Sequence, residues 1–198
     1  MLFMKVIGVV GLNGSGKDEL VDYLHQRCGI PVLSAGEIAR DIAAEEGVYP
    51  TRANLHDISQ RYIAQYGEDY FMRRLIERIE ERQWEAVGIT GIRTSADVRT
   101  LKGHFGEDFF LVHVEVSDPQ IRYERTKQRG EARDPQTYEE FLQQDKTEEE
   151  IFHISKAIQH ADVTINNNGS LEALHRKIKE SVVQEILSEV VCGRRSVR

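Results

Sequence analysis

Cysteine is scarce in this chain: of 198 residues only Cys28 and Cys192 are cysteines, and their spacing matches no metal motif. That excludes a disulfide framework and a zinc cluster, and two free thiols fit a reducing cytoplasm. The seven histidines are scattered, with no H-x-x-x-H or similar pair, so they read as surface or core residues. No apolar stretch approaches the roughly 20 residues of a membrane span. The N-terminus places a single Lys before a short strand, without the layout of a signal peptide. The net charge is −7 with no long basic stripe, which argues against general nucleic-acid binding. There is no internal repeat.

What is present is an ordinary globular composition, 40% hydrophobic and 30% charged, of a length that suits one domain with a sizeable core. Strand-like runs at 4–10, 31–33, 86–90, 109–116 and 161–165 alternate with helical patterns. The helical patterns cover 17–27, 36–46, 51–66, 68–83, 95–103, 118–130, 137–158 and 170–190. Such alternation predicts an α/β fold, a parallel sheet with helices on both faces. A single domain is expected over 1–192, with 193–198 as a frayed tail. Trp84 reads as a packing residue.

The most specific segment is Gly11-Leu12-Asn13-Gly14-Ser15-Gly16-Lys17-Asp18. It follows an apolar β-branched strand and opens a helix, and it matches G-x-x-x-x-G-K-[ST] except at its last position. Glycines allow a tight turn whose N–H groups wrap an anion, and the helix N-terminus adds its dipole. Gly11, Asn13, Gly14, Ser15, Gly16, Lys17 and Asp18 are therefore the expected phosphate-binding residues, with Lys17 on the β- and γ-phosphates. In such sheets ligands collect at the carboxyl ends of the strands. Arg40 and Arg93 follow the second and third strands, where guanidinium groups suit a phosphorylated acceptor. Arg122, Arg125 and Arg129 share one helix face, and Arg133 follows in a polar hairpin. A hairpin over about 122–150 reads as a lid that would close arginines onto a transferring phosphoryl group and exclude water.

These motifs, with Gly91-Ile92-Arg93 and the ending Ala161–Leu171, resemble the P-loop nucleoside and nucleotide kinases over about residues 4–180. The likeness extends to dephospho-CoA kinase and to an uncharacterised, largely archaeal family of kinase-like P-loop proteins. The resemblance implies a three-layer P-loop kinase fold, a five-stranded parallel sheet with an acceptor-side helical region at about 36–83 and a helical lid. It implies ATP and Mg²⁺ as cofactors, Asn166 and Asn168 beside the ATP base, and Arg129, helped by Arg125 or Arg133, at the transferring phosphoryl group. It also implies a cytoplasmic enzyme with a small nucleotide-like acceptor and no membrane partner.

Two departures bear on catalysis. Dephospho-CoA kinases carry D-x-D where this chain has Ser34-Ala35-Gly36, which leaves Glu37 as the nearest carboxylate to activate an acceptor. Ser34-x-Gly36-Glu37-x-x-Arg40 is instead similar to the acceptor-binding segment of adenylate-kinase-type enzymes. Thr90 stands where relatives place a strand-end Asp, while Asp18 replaces the loop hydroxyl. Carboxylate and hydroxyl have thus exchanged places, leaving Asp18 as the expected magnesium-supporting group. Phosphoryl transfer to a nucleoside-monophosphate-type acceptor is the leading expectation. Dephospho-CoA as acceptor, and a nucleotide-responsive regulatory module without turnover, are the alternatives.

Overall fold

The computed structural model describes residues 4–130 and 134–188. Arg133 and the tail at 193–198 lie outside the described residues. Strands β1 (Lys5–Val10), β2 (Val32–Ser34), β3 (Ala86–Thr90), β4 (Phe109–Glu115) and β5 (Val163–Asn166) form one sheet in the order β2-β3-β1-β4-β5. Every pairing is parallel. The helices are α1 (Lys17–Cys28), α2 (Ala35–Glu45), α3 (Arg52–Tyr66), α4 (Tyr70–Glu80), α5 (Ser95–Phe105), α6 (Pro119–Arg129), α7 (Tyr138–Phe152), α8 (Ile154–Ile158) and α9 (Leu171–Ile178).

The central strand β1 shows why the sheet is covered on both faces. Val6 and Val10 pack with α2, α4, α5 and α8 through Ile38, Leu75, Val98 and Ile154. Ile7 and Val9 point the other way, into Leu20, Leu24, Leu174 and Ile178 of α1 and α9. Strand alternation thus divides one apolar run between two cores. Each fully buried aliphatic contributes about 1.5–3 kcal/mol relative to exposure. The result is the α/β, five-stranded parallel P-loop kinase fold expected from the sequence. Among the described residues no helix is long and apolar enough to cross a membrane.

The helical pattern at 137–158 is two helices rather than one. His153 adopts φ 50°, ends α7 with its N–H on the Glu149 carbonyl, and starts α8. A left-handed conformation costs a non-glycine residue about 1–2 kcal/mol. The Glu149 side chain compensates by accepting from the Ser155 N–H (3.0 Å) and hydroxyl. The break buries Ile154 and Ala157 against the sheet while Phe152 stays at the mouth of the site. The segment 170–190 also departs from a single α-helix: beyond α9 it widens over Lys179–Gln184, where the Leu187 N–H reaches back five residues to the Val182 carbonyl.

Candidate functional site

The loop between β1 and α1 is a wound cradle. Ser15 N–H donates to the Leu12 carbonyl at 3.1 Å, and Gly16, at φ 94°, ends the loop as the N-cap of α1. Gly14 has φ 76°, and a Cβ there would lie 2.4 Å from the Arg122 carbonyl oxygen. Positive φ and close backbone approach both demand glycine.

Two buried side chains clamp this loop from opposite sides. Asn167, at the end of β5, donates from Nδ2 to the Ser15 carbonyl (2.8 Å), and its N–H bonds the Glu115 carbonyl (2.7 Å). Arg122 of α6 donates from Nη1 to the Asn13 carbonyl (3.1 Å) and from Nη2 to Asp145 of α7 (2.5 Å). Its guanidinium also lies 5.1 Å from the Phe141 ring centre. The sequence points to Asn166–Gly169 at the ATP base, with Asn166 and Asn168 as the contacts, and gives Asn167 no role at the loop. Strand parity holds the missing signal: Val163, Ile165 and Asn167 share one side, and Val163 and Ile165 pack in the α1 core. Asn166 and Asn168 instead join the loops after β4 and β5. Asn168 Oδ1 accepts from the Ser117 N–H (3.1 Å), and Asn168 Nδ2 donates to the Asn166 Oδ1 (3.1 Å).

Lys17 sits half-buried above the loop, its Nζ 3.4 Å from the Leu12 carbonyl. Burial pushes its pKa below the usual lysine value; Asp18 and Glu148 oppose that, and Arg93 and Arg129 add to it. Four of these five groups, Lys17, Asp18, Arg93 and Arg129, were expected together and share one electrostatic neighbourhood. Glu148 was not foreseen. Nucleotide phosphates would restore the ammonium, so binding is expected to take up a proton between the depressed free pKa and the higher bound one. Affinity for ADP should weaken as pH rises through the free value. Calorimetry at several pH values in buffers of different ionisation enthalpy checks this, and Lys17→Arg should flatten the dependence.

The arginines occupy different stations. Arg93 is exposed, with its guanidinium 4.9 Å from the Phe152 ring centre. Its backbone N–H and that of Thr94 both donate to Asp97 Oδ2 at 2.9 Å, which fixes the turn. Burial raises the Asp97 pKa, and those two bonds oppose the rise. Arg40 is exposed and lies along the first turn of α2, its Nη1 3.4 Å from where a Cβ on Gly36 would be. Arg129 makes a two-pronged pair with buried Asp134, Nε to Oδ2 at 3.1 Å and Nη2 to Oδ1 at 2.5 Å.

Arg125 is placed elsewhere than expected. It donates to the Gly169 carbonyl (3.2 Å) and lines a hollow of about 190 Å³ with Gly16, Glu19, Asn167, Leu171 and Leu174. Its Nη1 is buried without a hydrogen-bond partner. That hollow borders the cradle at Gly16, the N-cap of α1, on the side of α9. Glu37 is also redirected. Its Oε2 accepts from the Ser34 N–H (3.1 Å) while Ser34 Oγ accepts from Gly36 N–H, a capping box at the start of α2. A larger open hollow of about 400 Å³ between α4 and α5 contains none of the phosphate-binding groups.

For magnesium, no three His, Cys, Asp or Glu side chains converge among the described residues. Asp18 is exposed beside Lys17. Thr90 ends β3, which pairs directly with β1. A magnesium ion keeps several waters and takes one or two carboxylates plus substrate phosphates, so this sparse donor set fits it.

A family model described as an AAA domain matches residues 10–142. A UPF0200 protein of Thermococcus onnurineus is 34% identical over 93% of this chain and 99% of its own length. One from Methanoculleus marisnigri is 36% identical over 89% and 94%. Among solved structures, a gluconokinase from Sinorhizobium meliloti has a TM-score of 0.60 at 15% identity, covering 96% of this chain and 98% of its own. A shikimate kinase from Acinetobacter baumannii in complex with shikimate has a TM-score of 0.57 at 18% identity, with 94% of each chain covered.

Proposed function

This chain belongs to the UPF0200 family and carries a P-loop kinase-like nucleotide-binding domain, and from that premise we propose that it transfers the γ-phosphoryl group of magnesium-bound ATP to a small nucleotide-like acceptor. The supporting observation is the gathering of Lys17, Asp18, Arg93 and Arg129 at a loop clamped by Arg122 and Asn167. A loose phosphoryl transition state needs positioning and positive charge more than covalent chemistry.

Loop amides and Lys17 hold the donor phosphates, and Asp18 supports magnesium directly or through water. Arg93 and Arg40 hold the acceptor from the ends of β3 and β2. Arg129, set by Asp134, faces the transferring group. The hollow beside Arg125 receives the base, with Asn166 and Asn168 shaping its loop. The α6–α7 hairpin acts as the lid of a single domain that works in the cytoplasm.

Thermal-shift screening against ATP, nucleoside monophosphates and dephospho-CoA, followed by product analysis, tests this reading. A phosphorylated nucleoside monophosphate supports the leading acceptor, and phosphorylated dephospho-CoA supports the alternative. Stabilisation by ATP with no product from any acceptor would favour a regulatory module.

Asp18→Ala is expected to raise the magnesium concentration needed for tight ATP binding about 10–100-fold, with turnover falling in parallel. Magnesium titrations of ATP affinity measure it. Unchanged affinity and turnover would sink the exchange of carboxylate and hydroxyl between Asp18 and Thr90.

A further inference from the structure

The lining of the 190 Å³ hollow divides by chemistry. Arg125, Leu171 and Leu174 supply a guanidinium and apolar surface, and Leu171 is 50% exposed. Glu19 and Asn167 supply oxygen acceptors. Asn167 is 5% exposed, and its two kinds of N–H are spent on the Ser15 and Glu115 carbonyls. Among the described residues nothing donates to its Oδ1. Glu19 Oε1 accepts from His175 Nε2 at 2.6 Å, and the Tyr23 ring backs that imidazole at 4.9 Å between centres. Glu19 Oε2 has no donor among the described residues. Two acceptor oxygens thus border one hollow and await donors, and a buried acceptor left unpaired is costly.

Their distance from the cradle decides which part of a nucleotide they meet. Gly16 is the N-cap of α1, and Glu19 stands three residues on, about 4.5 Å along the helix axis. Asn167 holds the Ser15 carbonyl itself, and its Nδ2 is 2.4 Å from where a Cβ on Gly16 would be. Both acceptors therefore stand beside the last residues of the phosphate loop. The group bonded directly to a nucleotide's phosphates is its sugar; the base lies one ring farther out, where Arg125 and Leu171 suit it. An acidic first turn also favours the helix dipole. That accounts for Asp18 and Glu19 alike, but not for the bond from Glu19 to α9 or its place at the hollow.

We infer that Glu19 is a specificity-determining residue of the donor site, and that Glu19 and Asn167 together receive the cis-diol of a ribose. One sugar hydroxyl donates to Glu19 Oε2 and the other to Asn167 Oδ1. The inference rests on the phosphotransferase reading above and narrows its donor to a ribonucleotide, against one that lacks either hydroxyl. The bond to Glu19 is the stronger of the two, because its acceptor is ionised. His175 is a positioning residue: it occupies Oε1, fixes the carboxylate between α1 and α9, and leaves Oε2 for the sugar.

The test is calorimetry of the full chain, as wild type, Glu19→Ala and Glu19→Gln, with four nucleotides: ADP, 2′-deoxy-ADP, 3′-deoxy-ADP and IDP. Ratios between nucleotides cancel the repulsion of Glu19 on the phosphates, which all four share. Wild type is expected to bind ADP more tightly than both deoxy nucleotides. The larger ratio should be about 10–100-fold, the worth of a hydrogen bond to a charged group. Glu19→Ala should abolish the larger ratio and keep the smaller, while Glu19→Gln, which accepts without charge, should fall between. IDP keeps the ribose and exchanges the amino group of the base for a carbonyl, so its ratio to ADP should not respond to Glu19→Ala. Equal wild-type affinity for ADP and both deoxy nucleotides would overturn the assignment. So would the larger ratio surviving in Glu19→Ala, or an equal loss of all four nucleotides there, the mark of a residue that only ties α9 to α1. A change confined to the IDP ratio would place Glu19 at the base and overturn it as well. A wild type that binds none of the four would overturn the phosphotransferase reading itself, which is a separate result.

Discussion

Lys17→Ala is expected to lose turnover by about 10²–10³-fold or more, the effect of removing a donor aimed at developing charge in the transition state. ADP and ATP affinity should fall with it, and ATP by more, because the side chain serves the outer phosphates. The fold should survive. Among the described residues Lys17 Nζ has a single hydrogen bond, 3.4 Å to the Leu12 carbonyl, and the ammonium is held at a cost, since burial depresses its pKa. Removing a desolvated charge relieves that burial cost and forfeits only the through-space attraction of Asp18 and Glu148. Unfolding in urea should therefore show an unchanged slope and a midpoint close to wild type, while phosphoryl transfer disappears. Full activity in Lys17→Ala would remove the core of the proposed mechanism.

The parts of this molecule that could be read from sequence are those where one residue's chemistry depends on its immediate neighbours. The cradle is such a case: strand, glycines, lysine and helix follow one another, and Gly14 and Gly16 adopt the positive φ that the motif implies. Strand positions were readable because β-branched runs such as Val6–Val10 are buried on both faces. Glu37 carries a second local signal. Ser34-x-x-Glu37 is the capping-box pattern, which satisfies backbone N–H groups, and the structure shows the side chain in that role. Asn167 was overshadowed by its flanking asparagines because three identical residues in a row hide the parity that sends only the middle one inward.

Glu148 and the split between Arg125 and Arg129 were out of reach for a different reason. The first depends on where α7 lies relative to the loop, the second on what each α6 side chain meets, the Gly169 carbonyl for Arg125 and Asp134 for Arg129, and tertiary contacts decide both. The hairpin's charges, read in order, form an evenly mixed polar surface. Only when Arg122 threads between Asn13 and Asp145 does one face of α7 become part of the site. The break at His153 was hidden similarly: its helical periodicity runs on without interruption, and the turn is stabilised by a side-chain cap from Glu149 rather than by a glycine or proline.

Arg122→Ala should give the largest loss of stability among single substitutions at the site. The residue is 3% exposed and bridges three elements. Truncation strands the Asp145 carboxylate, strips the Phe141 ring of its cation and leaves the Asn13 carbonyl without its donor. Breaking one side of a buried ion pair costs about 3–5 kcal/mol, which lowers the melting temperature of a chain this size on the order of 10 °C. Most of that cost belongs to the stranded carboxylate rather than to the lost attraction, and a second variant separates the two. Arg122→Met combined with Asp145→Leu replaces both charges with apolar volume and is expected to recover most of the stability. It does not replace the donor to Asn13, so the loop loses the anchor that presets its N–H groups around phosphate. Nucleotide affinity in the double variant should stay about tenfold weaker than wild type, the equivalent of one charge-assisted hydrogen bond. Thermal unfolding and ADP calorimetry on the same preparations decide the matter. If stability and affinity return together, Arg122 holds the lid and nothing more; if stability returns alone, it also sets the cradle.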